Sequence, residues 1–383
     1  MSMELAFMLV TLFGLAGIGT PIGYSIIIAS LVYLGLGGFD IALAGEKIIQ
    51  GIFKSFILLA VPLFIVSANI MNAGTISDRL LQFCVAAVGR FRGGLGHVNV
   101  VASLIFSGMS GSAVADAAGI GKIIIEMMTK DGRYSRGYAA AITAASATIG
   151  PIIPPSIPMV LYALVSDQSI GFLFFAGIVP GLVMGVVLMA MNFYLAQKRG
   201  FALEAPVPLN ELPKTTARAF PALMMPAILL WGIYSGKTTP TEAAAVAALY
   251  ALLLAGLFYR ALTLKSLYHV FVDSARSSAA VGVVIGGAFI LNFIVISEGI
   301  PQSISGLLSG LDVSPLVFLL GVNLLVLLLG CDHDPNGLRR VNHVPVGKLS
   351  LIAVSIFSRR PSEKTGSHLG IDCRTTGRSR GFM

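Results

Sequence analysis

Apolar residues in this chain fall into long runs broken by short polar connectors. The runs lie near 5–39, 52–71, 98–115, 138–153, 157–166, 170–195, 219–235, 242–259, 279–297 and 313–331. A helix needs about 20 apolar residues to cross a bilayer, and several of these runs are shorter. The pattern predicts an all-α polytopic membrane protein in which full spans alternate with half-spans. Two of the runs end on helix-breaking clusters. The run at 98–115 meets Ser107-Gly108-Met109-Ser110-Gly111-Ser112, and the run at 138–153 meets Gly150-Pro151-Ile152-Ile153-Pro154-Pro155-Ser156. Non-helical backbone at membrane depth survives only where protein or a water-filled cavity satisfies its N–H and C=O groups. Interrupted segments of this kind point to a re-entrant hairpin near 98–128, a broken helix near 138–166, and an ion or solute site between them.

Composition supports lipid as the solvent. Hydrophobic residues make up 56% of the 383 and charged residues only 11%, against about 25% charged in soluble domains. The net charge of +8 could hint at nucleic acid, but its location argues against that partner. Residues 332–383 hold nine Lys/Arg and four Asp/Glu, so +5 of the total sits in that stretch. Elsewhere the basic residues gather in connectors: Lys130, Arg133 and Arg136; Lys198 and Arg199; Arg260 and Lys265. Such loops tend to be cytoplasmic, although half-spans prevent an orientation from being counted. The first run has Glu4 where a signal peptide would carry Lys or Arg, so it is expected to be a retained span. Cys84, Cys331 and Cys373 fit neither a disulfide framework nor a metal site.

The polar stretch 200–216 separates a first transmembrane half, 1–199, from a second, 217–331. A midpoint linker between two apolar halves suits an internally repeated transporter. Apolar periodicity stops after Cys331, and 332–383 is expected to be a polar basic tail, disordered or out of frame.

Within the first half, Ser107, Gly108, Ser110, Gly111 and Ser112 offer a turn whose hydroxyls and carbonyls could face one small volume. Oxygen ligands of that kind suit a hard cation such as Na⁺. Asp116 is an ionisable group inside an apolar segment, a functional candidate by default. The plainer reading is small residues packing two helices, with Asp116 as a helix cap. Pro154 and Pro155 remove N–H donors and disfavour helix before them, and Ser156 can start a second half-helix. The positive end of that half-helix attracts anions; the plainer reading is a kink without a ligand. Gly108-Met109-Ser110-Gly111 also allows an intramembrane serine protease, with Ser110 as nucleophile and His97 or His269 as base. In the second half, Thr239 or Thr241 can cap a helix opened by Pro240 and Glu242. Asn292 and Glu298 are the polar residues of the next span, with Glu298 near its end. No Walker, dinucleotide or His-Glu-x-x-His sequence points to ATP hydrolysis or metal catalysis.

Four stretches in order resemble the large membrane subunit of tripartite ATP-independent periplasmic (TRAP) transporters. They are Gly93-Gly94-Leu95-Gly96-His97-Val98-Asn99-Val100, Phe106 through Asp116, Ile152-Ile153-Pro154-Pro155-Ser156, and Thr239-Pro240-Thr241-Glu242-Ala243-Ala244-Ala245-Val246-Ala247; Pro62-Leu63-Phe64 fits as well. The resemblance runs from about 5 to 331. It implies a Na⁺-coupled importer of organic acids such as C4-dicarboxylates in the bacterial inner membrane. The implied partners are a small membrane subunit and a periplasmic substrate-binding protein, with no other cofactor. The implied fold is an elevator of two inverted repeats, each with a re-entrant hairpin and a broken helix. Carried over to this chain, Ser107 to Asp116 form the first hairpin tip. Gly150, Pro154, Pro155 and Ser156 belong to the break, and together these residues make a Na⁺ site and one wall of the substrate pocket. A binding-protein-independent elevator for anions is the nearest alternative. Beyond Gly330-Cys331 the family's second hairpin and Thr-Pro-Pro element are missing, so the second repeat is incomplete. A one-base shift could turn Asp332-His333-Asp334-Pro335-Asn336-Gly337 into family-like Ile-Met-Ile-Pro-Thr-Ala. A frameshifted and inactive product is therefore expected.

Overall fold

A computed structural model describes residues 2–72, 76–130, 132–166, 168–201, 211–309 and 317–324. The tail 332–383, most of the linker 200–216 and much of the run at 313–331 lie outside these residues. Every regular element among the described residues is helical. Four helices are long and apolar enough to cross a membrane, and a bent pair makes a fifth crossing by the same measure.

The apolar run at 5–39 is two helices rather than one span: α1 (Met3–Ile18) and α2 (Ile22–Leu36). Gly19 ends α1 at φ 91°, a conformation that glycine adopts without a Cβ clash. Pro21 then caps α2. α3 (Ala42–Lys54) carries Glu46, Lys47 and Gln50. It joins the segment Phe56–Asn72, whose α-helical part is α4 (Ala60–Asn72), at a bend of 76°. α5 (Ile76–Val88) leads into α6 (Gly94–Ser110). The chain reverses at Gly111-Ser112 and returns through α7 (Ala113–Asp116), a π-helical turn Ala117–Gly121 and α8 (Lys122–Thr129). α6 packs against the returning segment, so 94–129 forms a helical hairpin. α9 (Arg136–Ala147) and α10 (Ile157–Ser166) follow, with the break at 148–156 between them. α11 (Ile170–Lys198), α12 (Leu212–Tyr234), α13 (Pro240–Leu253, extended by a π-turn Leu254–Phe258), α14 (Leu264–Ser297) and α15 (Ile300–Ser309) follow, and 317–324 is also helical.

Local chemistry explains the ends. Thr239 caps α13 by accepting from the Glu242 N–H at 3.3 Å, while the Glu242 carboxylate accepts from the Thr239 N–H at 2.7 Å. This reciprocal pair satisfies two donors that a helix start leaves open. Pro240 sits in the first turn, where its missing N–H has no consequence. Thr241 does not cap; its hydroxyl donates to the Phe56 carbonyl at 3.2 Å, beside the bend before α4. We expect Thr239→Ala to lower stability by about 1 kcal/mol, as measured by thermal unfolding in detergent, because the bond from the Glu242 N–H depends on that side chain.

Two apolar cores result. The larger is built by α4 to α13 with Val270 of α14, around Phe64, Phe106, Phe174 and Met225. The smaller joins α1, α2 and Ala44 of α3 to Ile290, Leu291, Ile294 and Val295 near the end of α14. With 34 residues, α14 is about 50 Å long, well beyond the ~30 Å hydrocarbon core, and it contributes to both. Glu298, just past its end, accepts from Ser2 at 2.6 Å and Tyr33 at 2.7 Å and so ties the smaller core together. Asn292 is exposed. Large apolar side chains such as Phe172, Phe175, Val179, Val183 and Val186 face outward on α11. Exposure of this kind suits lipid as the solvent.

Candidate functional site

The hairpin tip is seated on the break of the α9–α10 pair. Gly111 is left-handed at φ 59°, and its N–H donates to the Ser107 carbonyl at 3.2 Å. A Cβ on Gly111 would collide with the Pro155 carbonyl and lie 3.1 Å from the Ser156 Cα. Gly108 faces the Pro226 ring of α12 at 3.2 Å and the Pro154 carbonyl at 3.7 Å by the same measure. From the other side, a Cβ on Gly150 would stand 2.9 Å from the Asp116 Oδ2 and 3.2 Å from the Ala113 nitrogen. Gly111 and Gly150 are thus required by close approach, and Gly108 sits in a tighter than ordinary contact. The Pro154–Pro155 peptide is cis.

The three tip hydroxyls do not share one volume as expected. Ser107 donates to the Leu104 carbonyl one turn back on its own helix, at 2.8 Å. Ser112 caps α7 by accepting from the Ala115 N–H at 3.4 Å, so Asp116 is not the cap. Only Ser110 turns inward. It accepts from the Ser112 N–H at 3.3 Å and donates to the Asp116 Oδ1. The reason is local: a serine near a helix end finds backbone partners within three or four residues, and these compete with an outward site. Ser156 does the same in the break, donating to the Pro151 carbonyl and accepting from the Met159 N–H at 3.3 Å.

Asp116 is the exception to this local satisfaction. It is 3% exposed, and its Oδ2 has no hydrogen-bond partner among the described residues. A buried carboxylate oxygen without a donor costs about 1–3 kcal/mol or more until a proton, a water or an ion supplies a partner. The surroundings are carboxylate, hydroxyl and backbone. Among the described residues no three His, Cys, Asp or Glu side chains gather to hold a metal ion. Hard oxygen donors with a single negative charge match a hard monovalent cation better than a transition metal. The protease reading does not fit this geometry. His97 and Ser110 occupy opposite ends of α6, 13 residues or about 20 Å apart, and His269 is exposed near the start of α14.

A set of buried polar residues behind the tip escaped the sequence reading. Asn99 of α6 donates to the Thr143 hydroxyl of α9 at 2.6 Å, and Ser103 donates to the Ser146 hydroxyl at 2.9 Å. Ser146 in turn donates to the Asn99 Oδ1 at 3.1 Å. Asn192 of α11 accepts from the Tyr138 hydroxyl and donates to the Gly93 carbonyl at 3.1 Å. The first set links the hairpin to the first half of the broken helix, and the second links both to α11. Spacings of four (Asn99, Ser103) and three (Thr143, Ser146) place each pair on one helix face, which was the available signal. We expect a double-mutant cycle of Asn99→Ala with Thr143→Val to give a coupling of about 0.6 kcal/mol, and at most about 1.7, in thermal or denaturant unfolding. Gly177, Gly181 and Gly185 form a stripe on α11 against Ile152, Ile153 and Leu104, holding α11 close to both the break and the hairpin.

Fold and site together define an all-α polytopic membrane protein with a buried oxygen site between a helical hairpin and a broken helix. Residues 9–336 match the family described as tripartite ATP-independent periplasmic transporter, DctM component. The chain is 42% identical over 318 residues to the sialic acid TRAP transporter large permease protein SiaM of Vibrio cholerae, covering 83% of this chain and 74% of that protein. It is 38% identical to the sialic acid TRAP transporter permease protein SiaT of Haemophilus influenzae, over 83% of this chain and 51% of that one. It is also 38% identical to the C4-dicarboxylate TRAP transporter large permease protein DctM of Pseudomonas aeruginosa, over 74% and 66%. The chain belongs to the DctM family of TRAP large permeases, and it is a multi-pass bacterial membrane protein.

Proposed function

We propose that this chain is the permease subunit of a Na⁺-coupled importer of organic acids in the bacterial inner membrane. It receives substrate from a periplasmic binding protein and works beside a small membrane subunit. The observation that carries the reading is the unpartnered Oδ2 of Asp116, held between the hairpin tip and the break. A bound Na⁺ would supply the missing partner, and a hard cation fits the oxygen donors present. The relatives' names, which specify sialic acid and C4-dicarboxylate, support a carboxylated substrate. The two apolar cores, with α14 in both, support an elevator in which the larger block moves against the smaller. Uptake into proteoliposomes containing this chain, the small subunit and the binding protein tests the reading. Accumulation that requires both a Na⁺ gradient and the binding protein is expected. Equal uptake without the binding protein would favour a free-standing anion elevator instead.

A second reading rests on the change of character after Cys331 and on a family match that runs only to residue 336. The reading frame shifts near that point, and the resulting polypeptide binds the coupling ion at its first hairpin without completing transport. Resequencing the gene tests this. A one-base correction that extends the family match beyond 336 supports it, and an intact frame with no family-like alternative overturns it.

A further inference from the structure

The far end of the hairpin and of α9, remote from the tip, has its own chemistry. Three chain segments meet there: 90–93 before α6, 132–137 leading into α9, and 197–200 at the end of α11. Asn192 reaches the Gly93 carbonyl at 3.1 Å. Phe201 packs its ring 4.8 Å from Tyr134 and 5.1 Å from Tyr138. The three segments contain six Lys/Arg and no Asp or Glu. Between α9 and α11 an open groove of about 400 Å³ begins at this end. Its walls are Ala141, Ile142, Met191 and Leu195, and its mouth is formed by Ser135 and Arg199. The Arg199 guanidinium lies 5.5 Å over the Tyr138 ring, and no described carboxylate pairs with it.

We propose that this groove binds an anionic phospholipid of the cytoplasmic leaflet, with the phosphate at Arg199 and an acyl chain along the apolar wall. Dimensions and polarity agree. Met191 lies eight residues from Arg199 and Ile142 seven from Ser135, so the wall descends about 10–12 Å along the helices. That is most of one ~15 Å hydrocarbon leaflet. Tyrosines cluster at headgroup level in membrane proteins, and basic loops stay on the cytoplasmic side, where anionic lipids lie. The guanidinium fork presents several N–H donors to phosphate oxygens in a way that a solvated lysine does not. Such a lipid would bridge α9 and α11 and brace the broken helix from behind. The inference does not depend on the transported substrate.

Native mass spectrometry of the purified full chain in detergent, titrated with phosphatidylglycerol or phosphatidylcholine of matched chains, tests it. Preferential retention of phosphatidylglycerol is expected. Arg199→Gln should lower that retention about fivefold, the weight of one cationic side chain at an anionic lipid surface. Ala141→Phe, which fills the wall from an exposed position, should lower it as well, while Arg276→Gln on α14 should leave it unchanged. Equal retention of the two lipids would overturn the proposal, as would full retention in both groove variants. Displacement by millimolar inorganic phosphate would assign the mouth to a free anion and also overturn it. So would crosslinking of the groove to the small membrane subunit with no lipid present.

Discussion

Gly111→Val should unseat the hairpin tip and lower the stability of the chain by about 2–5 kcal/mol. Two penalties combine. The residue stands at φ 59°, where a β-branched side chain costs about 1–2 kcal/mol. In addition, any Cβ there runs into the Pro155 carbonyl and the Ser156 backbone, and overpacking of this kind costs about 1–3 kcal/mol. Neither contact is the far end of a flexible side chain, so the break itself must move. Thermal unfolding in detergent reads the loss. Gly111→Ala should show a smaller loss of the same sign, and Gly132→Ala, also left-handed but in open space, should show only the backbone penalty. A Gly111→Val variant as stable as the parent would mean that the tip is not seated on the break.

Asp116→Asn should have the second large effect, and it has two parts of opposite sign. The substitution keeps the size of the side chain and an acceptor for the Ser110 hydroxyl. It removes a buried charge whose Oδ2 has no partner among the described residues. In K⁺ without Na⁺ the variant should therefore be at least as stable as the parent, because an uncompensated buried charge is destabilising by several kcal/mol. In Na⁺ the order should reverse. A ligand present at 100 times its Kd stabilises by about 2.7 kcal/mol, and the parent should gain this while the variant gains nothing. Ser110→Ala should fall between them, keeping the charge but losing the hydroxyl that orients it. Equal responses to Na⁺ in parent and Asp116→Asn would remove Asp116 from the ion site.

Much of this arrangement was legible in the residues, and the limits have physical causes. Pro154-Pro155 and the Ser/Gly tip mark breaks because their backbone effects are local and hardly depend on context. The capping box at Thr239 and Glu242 is local for the same reason. Hydroxyl directions were not legible. Ser107, Ser112 and Ser156 each chose a backbone group within five residues, a choice set by rotamer and turn geometry. The division of 5–39 into α1 and α2 was signalled by Gly19 and Pro21, but continuous apolarity masked it, since lipid favours both arrangements equally. The pairing of Asn99 and Ser103 with Thr143 and Ser146 needed the tertiary fold, because spacing assigns a face and not its neighbour. Gly177, Gly181 and Gly185 carry a readable four-residue period; only packing shows that the first two admit the break and the third the hairpin.

Binding of radiolabelled Na⁺ to the purified chain is the most direct test of the central claim, that the hairpin tip and the break form an ion site around Asp116. The account predicts saturable binding, displaced by unlabelled Na⁺ but not by K⁺, and abolished in Asp116→Asn. Binding that persists unchanged in Asp116→Asn, or that K⁺ displaces as well as Na⁺ does, would contradict it.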